Sequence, residues 1–151
     1  MSSLPYREGI LAVIVNRDGD FLLMQPQNYK KDEWNFLGGG IEDGETPQQT
    51  LWREIEEEIG ITREKLEIDG QAKEFTYDFP EGPVPYGGKT YKGARRHPFV
   101  LKFTGNKEDI KLNTTEIRQL KWVSHEDLAA NLKFPGQYET AIAIIEEFGL
   151  L

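Results

Sequence analysis

Three glutamates pose the first chemical question. Glu54, Glu57 and Glu58 stand at i, i+3 and i+4 in the run Arg53-Glu54-Ile55-Glu56-Glu57-Glu58-Ile59. On a helix their side chains share one face. Like-charged neighbours at that spacing cost roughly 0.2–0.5 kcal/mol per pair on an isolated helix. Near the helix C-terminus the dipole disfavours Glu57 and Glu58 further. A hard divalent cation such as Mg²⁺ or Mn²⁺ takes oxygen ligands and turns this repulsion into attraction. Without a cation, the run is a solvated acidic face, with Arg53 beside it to ease the repulsion. Gly38, Gly39 and Gly40 tip the balance toward the cation, because successive glycines let backbone approach a ligand closely. A tight strand-to-loop turn would need the same residues.

The element that positions the glutamates reads clearly. Thr46 is an N-cap, Pro47 suits the first helical position, and Gln49 completes a capping box. Leu51, Ile55 and Ile59 form an apolar stripe with Trp52 beside it. Gly60 ends the helix in a left-handed turn. The spacing therefore predicts a helix from about 47 to 59, within ~2 residues. Gly9 to Gln25 reads as a hairpin turning at Asp18-Gly19, with a first strand apolar enough to be buried on both faces. Trp34-Asn35-Phe36 reads as a short strand ending in Leu37 and the three glycines. Leu66 to Asp78 reads as extended, and Phe79 to Lys92 as a long loop rich in Gly and Pro. Pro98 to Thr104 and Ile117 to Val123 read as strands. Ser124 opens a short helix through Ala130, and Tyr138 to Phe148 forms a C-terminal helix. Strands and helices interleave without repeating as βα units, which predicts a mixed sheet with helices packed around it.

Composition narrows the class. The chain has 151 residues, enough for one domain (1–151) with a real core. It has no cysteine, which excludes a disulfide framework and a thiolate metal site. No apolar run spans a bilayer and no signal-peptide core opens the chain, so the expectation is a cytoplasmic protein without a membrane partner. The net charge of −8 argues against duplex DNA as a partner but not against a phosphorylated substrate, because metal ions bridge carboxylates to phosphate oxygens.

The pattern from Gly39 through Glu45, Arg53-Glu54-Ile55, Glu57-Glu58 and Gly60-Ile61 resembles the Nudix box. All nine defined positions over 23 residues match. The resemblance implies an α+β fold, an α/β/α sandwich with a loop–helix–loop site. It further implies hydrolysis of a nucleoside diphosphate linked to another moiety, with Mg²⁺ or Mn²⁺ as cofactor. By position, Glu54, Glu57 and Glu58 map onto the metal-binding glutamates, and Glu57 and Glu58 are also the catalytic candidates within the box. The metal-binding backbone carbonyl maps onto Gly38. Arg53 maps onto the arginine that orients a carboxylate. Glu45 is read as structural, and Glu56 as solvated.

Outside the box the chain resembles bacterial RNA pyrophosphohydrolases and related diadenosine polyphosphate hydrolases. Glu116, ahead of Ile117-Arg118-Gln119-Leu120-Lys121-Trp122-Val123, is the distal candidate for a base and a metal ligand. Tyr77 lies sixteen positions beyond Ile61, where that subgroup carries its marker tyrosine. Lys92, Arg95, Arg96 and His97 are cations that could hold phosphates, with Lys92 and Arg95 taken as substrate-binding. Phe134 is taken as a residue that could stack on a base. The chain departs from the subgroup at Leu37, where a Pro is usual, at Gly38, where a polar residue is usual, and at Leu120, where a Trp is usual. The leading expectation is a pyrophosphohydrolase of dinucleoside polyphosphates or 5′-triphosphorylated RNA ends, a monomer or homodimer. The alternatives are a housecleaning enzyme for (deoxy)nucleoside triphosphates or nucleotide sugars, and a nucleotide sensor without turnover.

Overall fold

The computed structural model describes residues 3–150. The long first strand β1 (Tyr6–Val15) and β2 (Phe21–Pro26) flank a turn in which Asn16 Oδ1 accepts the N–H groups of Asp18 and Asp20. They pair only where Val15 faces Phe21. Beyond that point β2 splays away, and β3 (Leu37–Gly40) takes its place against Gly9–Ala12 of β1. The glycines are thus themselves a strand. The expected Trp34–Phe36 strand is reduced to a single bridge between Asn35 and Met24, because Asn35 turns its side chain onto the N–H of Phe36.

Helix α1 (Pro47–Ile59) has the expected boundaries. The Gln49 N–H donates to Thr46 Oγ1 (3.2 Å), and the Thr46 N–H donates to Gln49 Oε1 (2.9 Å). Gly60 takes φ 60°, with a backbone left-handed turn that closes the helix. The expected extended run 66–78 is two strands, β4 (Leu66–Gln71) and β5 (Phe75–Asp78), both lying on the long strand β8 (Gly93–Phe103). The expected loop 79–92 contains a hairpin, β6 (Val84–Tyr86) and β7 (Lys89–Tyr91). Gly87 and Gly88 turn it with φ 57° and 83°, the combination that favours a tight turn. β9 (Ile117–Val123), the four-residue helix α2 (Leu128–Asn131) and α3 (Gln137–Glu147) complete the chain. Ser124 precedes a 3₁₀ turn and does not cap it with its side chain.

The main sheet runs β4-β8-β1-β2-β9, with β3 beside β1 and β5 beside β8. Only β1 and β8 are parallel; the other pairs are antiparallel, so the sheet is mixed. Alternation along β1 gives two cores. Ile10, Ala12 and Ile14 meet Leu51, Ile55 and Ile59 of α1, while Leu11, Val13 and Val15 meet Ala141, Ile144 and Ile145 of α3. The result is an α/β/α sandwich. Fully burying each stripe residue of α1 contributes roughly 1.5–3 kcal/mol. That burial fixes the rotation of the helix, and therefore where its glutamates point.

Candidate active site

The glycine strand and α1 meet as the sequence pattern anticipates. On one side of β3, a Cβ on Gly39 would fall 2.5 Å from Glu54 Oε1. On the other side, a Cβ on Gly40 would run into the guanidinium of Arg7. Side chains are excluded on both faces because functional groups already occupy them. Gly38 pairs with Leu11 and lies two residues before Gly40, so their carbonyls leave β3 toward the same side. The Gly40 carbonyl accepts from Arg53 Nη2 at 3.0 Å.

Arg53 is the hub. Its Nε donates to Glu45 Oε2 (2.7 Å) and its Nη2 to Glu45 Oε1 (3.0 Å). Its Nη1 donates to Glu54 Oε1 (2.8 Å) and Glu57 Oε2 (3.3 Å). The Glu45 carboxylate also accepts from Thr50 Oγ1 and from the Glu42 N–H. Glu45 thereby fastens the loop to the helix. Hydrogen bonding from Arg53, then from the Glu42 backbone, holds its carboxyl down to about 2. The folded value lies below the usual one of 4.5, so the stabilisation is complete above that pH and disappears as pH falls toward about 2. Glu45→Gln is expected to cost about 1.5–3 kcal/mol at pH 7. Urea melts of the two proteins should converge as pH drops from 4.5 to 2. A gap unchanged over that range would mean the ionised carboxylate is not the source.

The other glutamates are under opposite stress. Burial pushes the Glu54 carboxyl up despite the pull of Arg53. Burial, then the facing Glu54 and the charges of Glu116 and Glu57, push Glu58 up to about 9. Glu57 stays exposed. Glu116 is exposed on the turn before β9, close enough for its charge to act on Glu58. Backbone bonds fasten that turn to its surroundings. Asn113 donates to the Glu58 carbonyl (2.9 Å), Lys111 to that of Ile59 (2.7 Å), and Gln27 to that of Glu116 (2.9 Å). The donor set of glutamate carboxylates and a strand carbonyl is all oxygen, the chemistry that suits a hard divalent cation.

The four expected substrate residues divide between the faces of the sheet. Tyr77 lies on the α3 face, 38% exposed, between the rings of Phe75 and Phe79. Phe134 packs edge-on against Tyr29 at 5.4 Å. Arg95 points to the opposite face, where it binds Glu8 (2.6 Å), and Lys92 lies over the Tyr6 ring at 4.7 Å. His97 joins them through Nε2, 2.8 Å from Glu8. Glu8, Glu74 and His97 come within 4.8 Å of one another, a second grouping of metal-ligand type. Arg95 is bound into it, and His97 and Arg95 outweigh burial to hold the Glu8 carboxyl low, as an ion-pair network would.

Sequence reasoning missed Arg7 and Tyr29. Alternation from Gly9 could have placed Arg7 on the α3 face. Tyr29 had no local signal: its loop is shaped by the buried Gln25, whose Nε2 donates to the carbonyls of Lys30, Lys31 and Glu33. Arg118 completes that shaping through the carbonyls of Gln27 and Tyr29.

Comparison with known proteins identifies the family and the fold. The model of the NUDIX domain matches residues 5–143. An RNA pyrophosphohydrolase of Sphingopyxis alaskensis is 34% identical, with 98% of this chain and 96% of the relative covered. One from Zymomonas mobilis is 35% identical over 85% of each chain. A crystal structure of a C. elegans Ap4A hydrolase complex superposes with a TM-score of 0.72, at 23% identity, over 96% of this chain and 99% of the other. At that identity the likeness shows the fold.

Proposed function

The chain belongs to the Nudix family, and from that premise we propose that it is a divalent-metal-dependent pyrophosphohydrolase acting on dinucleoside polyphosphates or 5′-triphosphorylated RNA ends. The observation that carries this reading is the buried Glu54 against the glycine strand, tied through Arg53 to Glu45 and Glu57 on the same helix-and-loop unit. The names of the RNA pyrophosphohydrolase relatives support the RNA-end arm, and the Ap4A hydrolase fold neighbour is compatible with the dinucleotide arm.

Glu54, Glu57, Glu58 and Glu116, with the carbonyl of Gly38, would hold Mg²⁺ or Mn²⁺. Once bound, the metal acidifies water and neutralises charge on phosphate oxygens. Arg53 keeps Glu54 and Glu57 aimed. A carboxylate must accept the proton from the attacking water, and we assign that role to a box glutamate, Glu57 or Glu58, or to Glu116. Tyr77 and Phe134 offer aromatic surface for the base, and Lys92 and Arg95 lie on the α1 face, where Arg95 would reach a phosphate only by exchanging its Glu8 and Glu74 partners. The whole described chain forms one layered unit, and we assign it as one domain. Among the described residues no helix is long and apolar enough to cross a membrane. We assign the protein to the cytoplasm, as a monomer or homodimer without a duplex-DNA partner.

The test is a substrate panel with Mg²⁺ and Mn²⁺: diadenosine tetraphosphate, triphosphorylated RNA, ADP-ribose and the deoxynucleoside triphosphates. One of the first two is expected to give the highest kcat/KM. A clear preference for ADP-ribose or a deoxynucleoside triphosphate would transfer the assignment to the housecleaning reading, and no turnover of any would favour a sensor. Glu116→Gln is expected to lower kcat by about 10²-fold, more than it changes KM. Unchanged kinetics would remove Glu116 from the site.

A further inference from the structure

Arg96 sits on the face of the sheet that carries Tyr77, between that tyrosine and the glycine strand. Its Nη1 donates to the Gly39 carbonyl at 3.1 Å, and its Nη2 lies 3.5 Å from the Tyr77 hydroxyl. The strand beneath leaves room for it: a Cβ on Gly9 would come within 3.0 Å of Arg96 Cζ. Among the described residues no carboxylate forms an ion pair with Arg96, in a chain with 26 acidic residues against 18 basic ones. Arg7, on the same face, likewise has no carboxylate there and lies under the Tyr86 ring at 3.6 Å. By contrast, the neighbouring Arg95 is neutralised by Glu8 and Glu74.

We propose that Arg96 is a specificity-determining residue that binds the phosphate chain of the substrate between the scissile group and the nucleoside. This rests on the hydrolase reading above. Gly39 adjoins the candidate metal carbonyl and touches Glu54, while Tyr77 is the aromatic surface for a base; Arg96 spans the two. A guanidinium has five N–H donors, and the contacts here use two, one of them long. A phosphate oxygen is a stronger partner for the others than a neutral hydroxyl, and it matches the planar fork. The shared ligand chemistry is a chain of ionised phosphates on a nucleoside, whether from a dinucleotide or from an RNA end.

The experiment compares wild type with Arg96→Gln and Arg96→Lys. It measures kcat and KM with Mg²⁺ for diadenosine tetraphosphate and for a triphosphorylated RNA oligonucleotide, and inhibition by inorganic tripolyphosphate. Arg96→Gln is expected to raise KM about tenfold on the preferred substrate, with a smaller fall in kcat. Tripolyphosphate inhibition should weaken by a similar factor, and Arg96→Lys should recover part of both. The substrate with the larger KM shift identifies the source of the phosphate chain. If KM and tripolyphosphate inhibition match wild type while hydrolysis persists, Arg96 does not bind the phosphates and the hydrolase reading stands. If KM changes but tripolyphosphate inhibits equally, Arg96 acts through Tyr77 and the proposal is overturned. If the wild type hydrolyses neither substrate, both readings fall.

Discussion

Glu58→Gln is expected to reduce metal-dependent turnover by a factor on the order of 10³ while making the metal-free protein more resistant to unfolding. The two effects have one cause. In the folded chain Glu58 is half-buried among Glu54, Glu57 and Glu116, which is why its carboxyl is pushed up to about 9. Between pH 4.5 and about 9 the metal-free fold must take up a proton at Glu58 that the unfolded chain releases, which opposes folding increasingly as pH rises through that window; a neutral amide of the same shape removes this cost. The amide is also a poorer cation ligand and cannot accept the proton. Turnover with Mg²⁺ and thermal melts in a chelator check the two halves separately. Wild-type turnover would remove Glu58 from the chemistry. A lower Tm in chelator would show that the carboxyl makes bonds the fold depends on.

Arg53→Lys is expected to cost about 2–4 kcal/mol of stability and to lower turnover by about 10²-fold or more, although the charge is kept. Arg53 serves Glu45, Glu54, Glu57 and the Gly40 carbonyl at once. An ammonium has three donors and no plane, so it cannot hold the loop, the helix carboxylates and the strand together. Glu45 would keep part of its partners through Thr50 and the Glu42 N–H, whereas Glu54 would be left buried without its cation. Chemical denaturation gives the first number and steady-state kinetics the second. A variant with wild-type stability but lost turnover would confine Arg53 to aiming the carboxylates.

What was legible in the sequence was legible for local reasons. The Thr46–Gln49 box, Pro47 and Gly60 act within a few residues of themselves, and α1 ends where they say. Its stripe at Leu51, Ile55 and Ile59 is wholly buried. Local signals put the glycines at the end of a strand from Trp34, whereas the strand is the glycines themselves, paired with β1 because β2 leaves that edge open farther along the sheet. The hairpin at 84–91 was hidden by Gly and Pro content that serves its turn. The division of Arg95 from Arg96 needed only alternation, but alternation is useful only once the register with β1 is known, and that pairing spans almost ninety residues of chain. Tyr29 meets Phe134 because Gln25 and Arg118 shape its loop, a tertiary effect with no local trace.

The turn carrying Glu116 is tied to the end of α1 by N–H groups of residues 111 and 113, and to the turn that follows β2 by that of Gln27. All three ties are main chain to main chain. The spacing between the two halves of the cluster is therefore set largely by the peptide backbone, with Gln27 Nε2 adding one side-chain bond to the Thr114 carbonyl. Selection, or an engineer, can exchange the aromatic and cationic rim for another ligand without recalibrating the span between Glu58 and Glu116. Such a frame lets one architecture acquire new substrates by editing its periphery while the reactive centre is inherited intact.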